Sequence, residues 1–375
     1  MAEMMMERIS YEVSVDPVDV RLANVDMLLH GDIKEMADTL KTNADYIKRK
    51  AAVEDFNKTN RWKKRGLRVA MMSYFIPPIG QRFDVNLSVY HTDGTVVITH
   101  SGIEVGQGIN TKAIQIAAHF LKIPVTKIKI KGNNSIIGPN AEATGASVTS
   151  QNVGIGVQQC CEELLRRLAP IKLLKPLATW EELIRAAFVL QVDLQTHGFV
   201  TLLNGQLVFN YGVCFAEVEL DILTGESEIL RVDLLGDAGQ SINPALDIGQ
   251  IEGAFIMGLG YWTMEQLVHN VENGEVLTDR TWSYHVPQCR DIPQDFRVYL
   301  RKNSYSSIVI LGSKAIAEPP ICLSIVVPFA LRQAVTSARL DAGIPTTEWF
   351  PIDGPYTVDK MCLAAATKIE DFKLY

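Results

Sequence analysis

The chain has 375 residues, a net charge of -7 and a pI near 5.6, which argues against a nucleic-acid binder, whose surface would need an excess of Lys and Arg. Hydrophobic residues make up 47% and charged residues 21%, an ordinary globular composition, and no run reaches ~18 uninterrupted apolar residues, so no membrane span is expected. The acidic start MAEMMMERISYEV lacks the apolar stretch of a signal peptide. Residues 1 to about 60 carry apolar side chains at helical spacing. The basic run Lys58 to Arg68 reads as a solvated connector, and FIPPIG after it as a break. FDVNLSVYHTDGTVVITHS alternates about Asp93-Gly94 and predicts a β-hairpin. Ala113, Ile114, Ala117, Phe120 and Leu121 stripe one helix, KIKIKG is a short strand, and VGIGVQQCCEELLRRL is a second helix. Residues 195–235 form a strand group turning at LTGE, and a glycine-laced helix starts at Pro244 behind Asn243. FRVYLRKN and SSIVIL read as strands, and a long apolar helix opens at Glu318-Pro319-Pro320. A last helix starts near Thr357. Strand pairs followed by helices, twice over, predict an α+β protein of two lobes.

The six cysteines are scattered, with Cys160 and Cys161 adjacent and no CxxC, so they give no set for an iron–sulfur cluster and predict buried thiols in a reducing compartment. None of the seven histidines pairs with another at ligand spacing, and a protein-ligated metal is not expected.

Three loops and one carboxylate carry the chemistry. Gly106-Gln107-Gly108 lets backbone approach a ligand, offers an amide, and precedes a helix with free N–H groups; taken alone it is a weak signal, and a plain turn is the preferred explanation. Thr144-Gly145-Ala146-Ser147-Val148-Thr149-Ser150 is either an anion cradle at a helix start or a simple N-cap. Gln250, within DIGQIEG, faces a ligand across a close contact or marks tight helix packing. Glu318 is either a helix-start charge answering the dipole or a base tuned by an apolar setting. No GxSxG and no Cys/His pair supplies a nucleophile, which points to a cofactor for the hard chemistry.

Taken together and in this order, GTVVITHSGIEVGQGINTKAIQIAAHFLKIP, ATGASVTSQNVGIGVQQCCEELLRRL, YGVCFAEVELDILTGE, NPALDIGQIEGAFIMGLGYWTMEQL and GSKAIAEPPICLS resemble the xanthine dehydrogenase and aldehyde oxidase family, the molybdenum hydroxylases. The resemblance implies a bilobed molybdopterin-binding domain, residues 59–375, behind a helical lead-in, residues 1–58, that continues from an upstream half. It implies that Gln107 with Gly106, Gly145, Ala146, Ser147, Thr149 and Gln250 hold a molybdenum–molybdopterin cofactor, with no side chain on the metal. It further implies Glu318 as the catalytic base, hydroxylating an electron-poor carbon with water as oxygen source. Tyr74 matches an aromatic residue that sandwiches purines, while Phe75 falls where xanthine enzymes carry a threonine donor. That loss favours an aldehyde or other heterocycle over a purine as substrate. Ala317 replaces the usual glycine of the motif. The family's 2Fe-2S and FAD domains are not in this sequence, so the chain is expected to be part of a longer protein or to pair with separate subunits. A catalytically incompetent binding module is the other reading. A cytosolic homodimer is the expected setting.

Overall fold

The computed structural model describes residues 1–76, 82–200, 208–304, 308–368 and 370. In chain order its strands are β1 (Lys63–Ile76), β2 (Phe83–Val89), β3 (Val96–His100), β4 (Ile128–Ile130), β5 (Gln195–Val200), β6 (Val208–Asp221), β7 (Ser227–Gly236) and β8 (Asp295–Leu300). The helices are α1 (Ala2–Glu12), α2 (Pro17–Ala23), α3 (Met27–His30), α4 (Asp32–Asn43), α5 (Tyr46–Thr59), α6 (Ile109–Leu121), α7 (Thr149–Leu174), α8 (Trp180–Val189), α9 (Pro244–Thr263), α10 (Glu318–Leu323), α11 (Val326–Asp341) and α12 (Val358–Ala364).

Two open sheets organise the elements. The first runs β1-β6-β7-β8, antiparallel except for the parallel β7–β8 pair. Strand β6 is apolar on both faces because both are covered. Tyr211, Val213 and Phe215 meet Leu40, Tyr46 and Val53 of the early helices, while Cys214, Ala216 and Val218 meet Phe255 of α9 and the apolar face of α11. Gly66 of β1 is obligatory, since a Cβ there would lie 1.9 Å from the Ala330 carbonyl of α11. The second sheet, β4-β3-β2-β5, buries one face. Phe83, Val85 and Leu87 pack on α6 and α7, and the alternate positions are half-buried, which is why the period-two pattern was visible there.

Glu318–Asp341 is long and apolar enough to span a membrane by length and hydropathy, but 78% of its apolar window is buried inside the fold, as suits a core helix.

The structure corrects three expectations and adds one helix. Lys63 to Arg68 is not a solvated connector but the start of β1: Lys63 and Arg65 reach across the strand pair to Glu219, while Lys64 is fully buried against Asp341 and the Asn57 carbonyl. SSIVIL is not a strand; its described part, 308–311, is a turn leading into a short 3-10 segment, with Leu311 in the left-handed region. Cys160, Cys161 and Cys214 are buried as expected, but Cys289 and Cys322 are exposed. Helix α8 was not anticipated, although Thr179 and Glu182 form a reciprocal capping box that announces it. The break at FIPPIG falls largely outside the described residues.

Candidate functional site

A cleft of about 230 Å³ opens at the seam between the two sheet systems. Each wall comes from an element end. The β3–α6 loop brings Val105 and Gln107, the start of α7 brings Thr144 to Gln151, α9 brings Gln250, and the segment before α10 brings Ser313 to Glu318.

Backbone conformation shapes the α7 wall. Ala146 and Ser147 are consecutive left-handed residues, at φ 54° and 55°, a conformation that costs a non-glycine residue and is kept where surroundings demand it. The turn leaves the Ser147 hydroxyl accepting the Glu318 backbone N–H at 3.1 Å, so cradle and carboxylate are tied directly. The Gly145 N–H donates to Thr149 Oγ1 at 3.3 Å, and a Cβ at Gly145 would meet open space.

The β3–α6 loop differs from its sequence reading. The Glu104 carboxylate accepts from the backbone N–H groups of Gly106, Gly108 and Asn110, so those groups of the α6 start are already occupied. Gln107 braces its own loop, donating to the Ile103 carbonyl and accepting from the Val105 N–H, both at 2.7 Å. Its second amide hydrogen and second lone pair are what it offers the cleft. Gln250 donates to the Gly106 carbonyl at 3.4 Å, which links α9 to this loop. Gly108 sits at φ 75° with Leu246 of α9 packed where a Cβ would be.

The cleft's electrostatics are set by paired cations and one unpaired carboxylate. Lys112 bonds Asp247 at 2.8 Å in a buried pair, and Asp247 also accepts from Ser241. Lys314 bonds Asp237 at 2.7 Å and Ser304 at 2.9 Å. Glu318 is half-buried, and burial pushes its carboxyl above the usual carboxylate range; among the described residues no cation opposes that shift. A carboxylate held this way is a stronger base than one in water.

The structure therefore brings Gln107, Gly145, Ala146, Ser147, Thr149, Gln250 and Glu318 onto one cleft, with Gly106 one residue outside it. Tyr74 and Phe75 do not line it. Tyr74 packs, with Ala146, on the small cluster of Val148, Val208, Val309 and Ala315, and Phe75 is 56% exposed. Lys112, Lys314 and Gln151 also line the cleft and were not singled out by the sequence. Gln151 is buried with both its amide atoms unpaired. No local motif marks it, because being unpaired is a property of its surroundings.

Comparison with known proteins places this geometry. A family model described as "Molybdopterin cofactor-binding domain" matches residues 39–293. Xanthine dehydrogenase/oxidase of Gallus gallus is 37% identical, covering 98% of this chain and 29% of the relative. Xanthine dehydrogenase of Oryza sativa subsp. japonica is also 37% identical, covering 92% of this chain and 26% of the relative. The chain thus spans under a third of the length of these curated relatives. Among solved structures, quinoline 2-oxidoreductase from Pseudomonas putida superposes with a TM-score of 0.83 at 19% identity, over 97% of this chain and 51% of that one. The aldehyde oxidoreductase of Desulfovibrio desulfuricans gives a TM-score of 0.73 at 19% identity, over 96% of this chain and 40% of that one. These two likenesses concern the fold: a mixed α+β domain with open sheets.

Proposed function

We propose, from the premise that this chain belongs to the molybdopterin cofactor-binding domain family, that it forms one wall of a molybdenum hydroxylase active site with Glu318 as the general base. The cleft suits the group. It offers an unpaired buried amide, an open glycine position and a left-handed Ala146-Ser147 turn, in the place where a polar, anionic, many-bonded cofactor would lie. Gln107, Gly106, Gly145, Ala146, Ser147, Thr149 and Gln250 would hold it. Bound there, molybdenum–molybdopterin supplies the redox chemistry for putting oxygen from water onto an electron-poor carbon of an aldehyde or N-heterocycle.

The chain's own residues do the rest. Glu318 takes up a proton at its carboxylate, and its raised pKa makes that uptake favourable. Ser147 fixes the backbone of Glu318 against the cradle, so the base and the cofactor wall keep one spacing. The helical segment 1–58 serves as the lead-in from an upstream part and covers one face of the first sheet. 2Fe-2S and FAD groups held elsewhere in a longer protein or in partner subunits would supply onward electron transfer, in a cytosolic assembly built as a homodimer.

The observation that carries this reading is the unopposed, half-buried carboxylate of Glu318 on the cleft wall. Its test is Glu318→Gln, with aldehyde turnover measured per bound molybdenum using an artificial acceptor. A loss of roughly 10²-fold or more at equal metal content is expected, the range for removing a positioned base. Unchanged turnover per metal removes Glu318 from the role, and no turnover by loaded wild-type protein reduces the chain to a binding module.

A second reading has its own support. The curated relatives are named for xanthine, and neither Tyr74 nor Phe75 lines the cleft, so the substitution at Phe75 bears less on substrate choice. Turnover of xanthine faster than of an aromatic aldehyde selects the purine reading; the reverse order selects the aldehyde one.

A further inference from the structure

We propose that Asp237 and Asp247 are positioning residues for the base: each holds one of the cleft's two lysines back from Glu318, so that the cleft presents a carboxylate with no cation on it. The inference rests on the reading of Glu318 above and extends it to two buried residues with no assigned role.

Among the described residues that line the cleft, the ionisable ones are Lys112, Lys314 and Glu318. Two ammonium groups and one carboxylate sharing a half-buried space attract one another, and Lys314 stands four residues ahead of Glu318 on the segment that carries it. Yet both lysines are bonded elsewhere. Lys112 Nζ donates to Asp247 Oδ1 at 2.8 Å, and Lys314 Nζ donates to Asp237 Oδ2 at 2.7 Å. Both aspartates are buried, at 1% exposure, and neither lines the cleft. Each is also fixed at its other oxygen. Asp247 Oδ2 accepts from the Ser241 hydroxyl at 2.6 Å, and Asp237 Oδ1 accepts from the Gly239 N–H at 3.1 Å. Arg301 comes within 3.8 Å of Asp237 but is engaged by Asp32 and Glu35, so Lys314 keeps its partner. The two pairs are built from different elements, α6 with α9 and the residue after β7 with the segment before α10, and both do the same thing to a cleft cation.

The other surroundings of Glu318 bring no cation to it. The start of α7 and α9 contribute hydroxyls and amides to the lining. Glu104, on the β3–α6 loop, is turned to its own backbone N–H groups. On α10 itself Cys322 stands one turn on, its thiol raised by burial and then by the Glu318 charge, with the amino terminus acting the other way. Burial is left to raise the Glu318 carboxyl.

The test is a melting comparison on the cofactor-free 375-residue chain at pH 8. Its readout is the gap between a given background and the same background carrying Glu318→Gln. In the wild-type background the Gln variant melts higher, because the ionised carboxylate has no partner. Asp237→Asn keeps the shape and loses the charge that holds Lys314. The released ammonium then pairs with Glu318, and the gap should vanish or change sign. Adding Lys314→Met should restore it. Asp247→Asn frees Lys112 into the same cleft and should act alike, which serves where the first variant does not fold. A gap that persists in the folded aspartate variants overturns the proposal, since the lysines then serve the fold alone. In loaded protein, Asp237→Asn should move the acid limb of kcat/KM lower by about one pH unit or more, and Lys314→Met should return it. A slower enzyme with its limb unmoved also contradicts the assignment. The melting comparison needs no cofactor, so its failure is separate from failure of the base reading, which loaded Glu318→Gln decides.

Discussion

Glu318 stands at the first position of α10, where a charge can answer the helix dipole, and also on the wall of a cleft. Burial raises its pKa, whereas an N-terminal cap favours the charged form and would lower it, and this direction is what supports the base role we propose. Two consequences follow from the sign. The base must be ionised to act, so turnover should fall as pH drops, with the acid limb of kcat/KM centred above the ordinary value of 4.5; a limb at or below that value contradicts burial as the tuning force. Stability should move the other way. A carboxyl whose folded pKa is raised favours the fold while protonated and opposes it once ionised. Glu318→Gln should therefore melt higher than wild type at pH 8, with the difference gone at pH 4. Equal melting temperatures at both pH values would mean that the folded site does not resist the charge.

Among the elements, those announced by local chemistry were legible. Asn243 caps α9 by accepting from the Leu246 N–H, with Pro244 behind it, and Asp93 accepts from Thr95 in the hairpin turn. Elements decided by distant partners were not. The start of β1 looked like a charge run because Glu219 and Asp341, which answer its cations, lie far along the chain. SSIVIL has strand composition, yet Val309 and Ile310 are drawn into two different apolar clusters, and a turn serves both. The site divides the same way: Glu318, Gln107, Gln250 and the small-residue loop carry motif signals, whereas Lys112, Lys314 and Gln151 matter through their neighbours. The α6–α9 junction can be tested at this scale. Lys112→Met leaves Asp247 buried and uncompensated and should cost about 3–5 kcal/mol by denaturant titration. Adding Asp247→Leu should recover most of that loss, and no recovery would show that the pair is not coupled. Gly108→Ala adds left-handed strain and a Cβ 2.5 Å from Leu246 Cδ1, so it should lower stability by about 1–3 kcal/mol in the same assay.

At the scale of the whole molecule, the cleft belongs to neither sheet alone. The second sheet system positions Gln107 and the α7 cradle; the first positions Gln250 and Glu318. The Ser147–Glu318 and Lys112–Asp247 contacts join them. The chain spans under a third of the length of its curated relatives, and the function we propose gives it one wall of the site and the base. The most direct test is the molybdenum and pterin content of the purified chain from a cofactor-producing host. Close to one of each per folded chain is expected. A soluble, folded chain carrying neither metal nor pterin would contradict it.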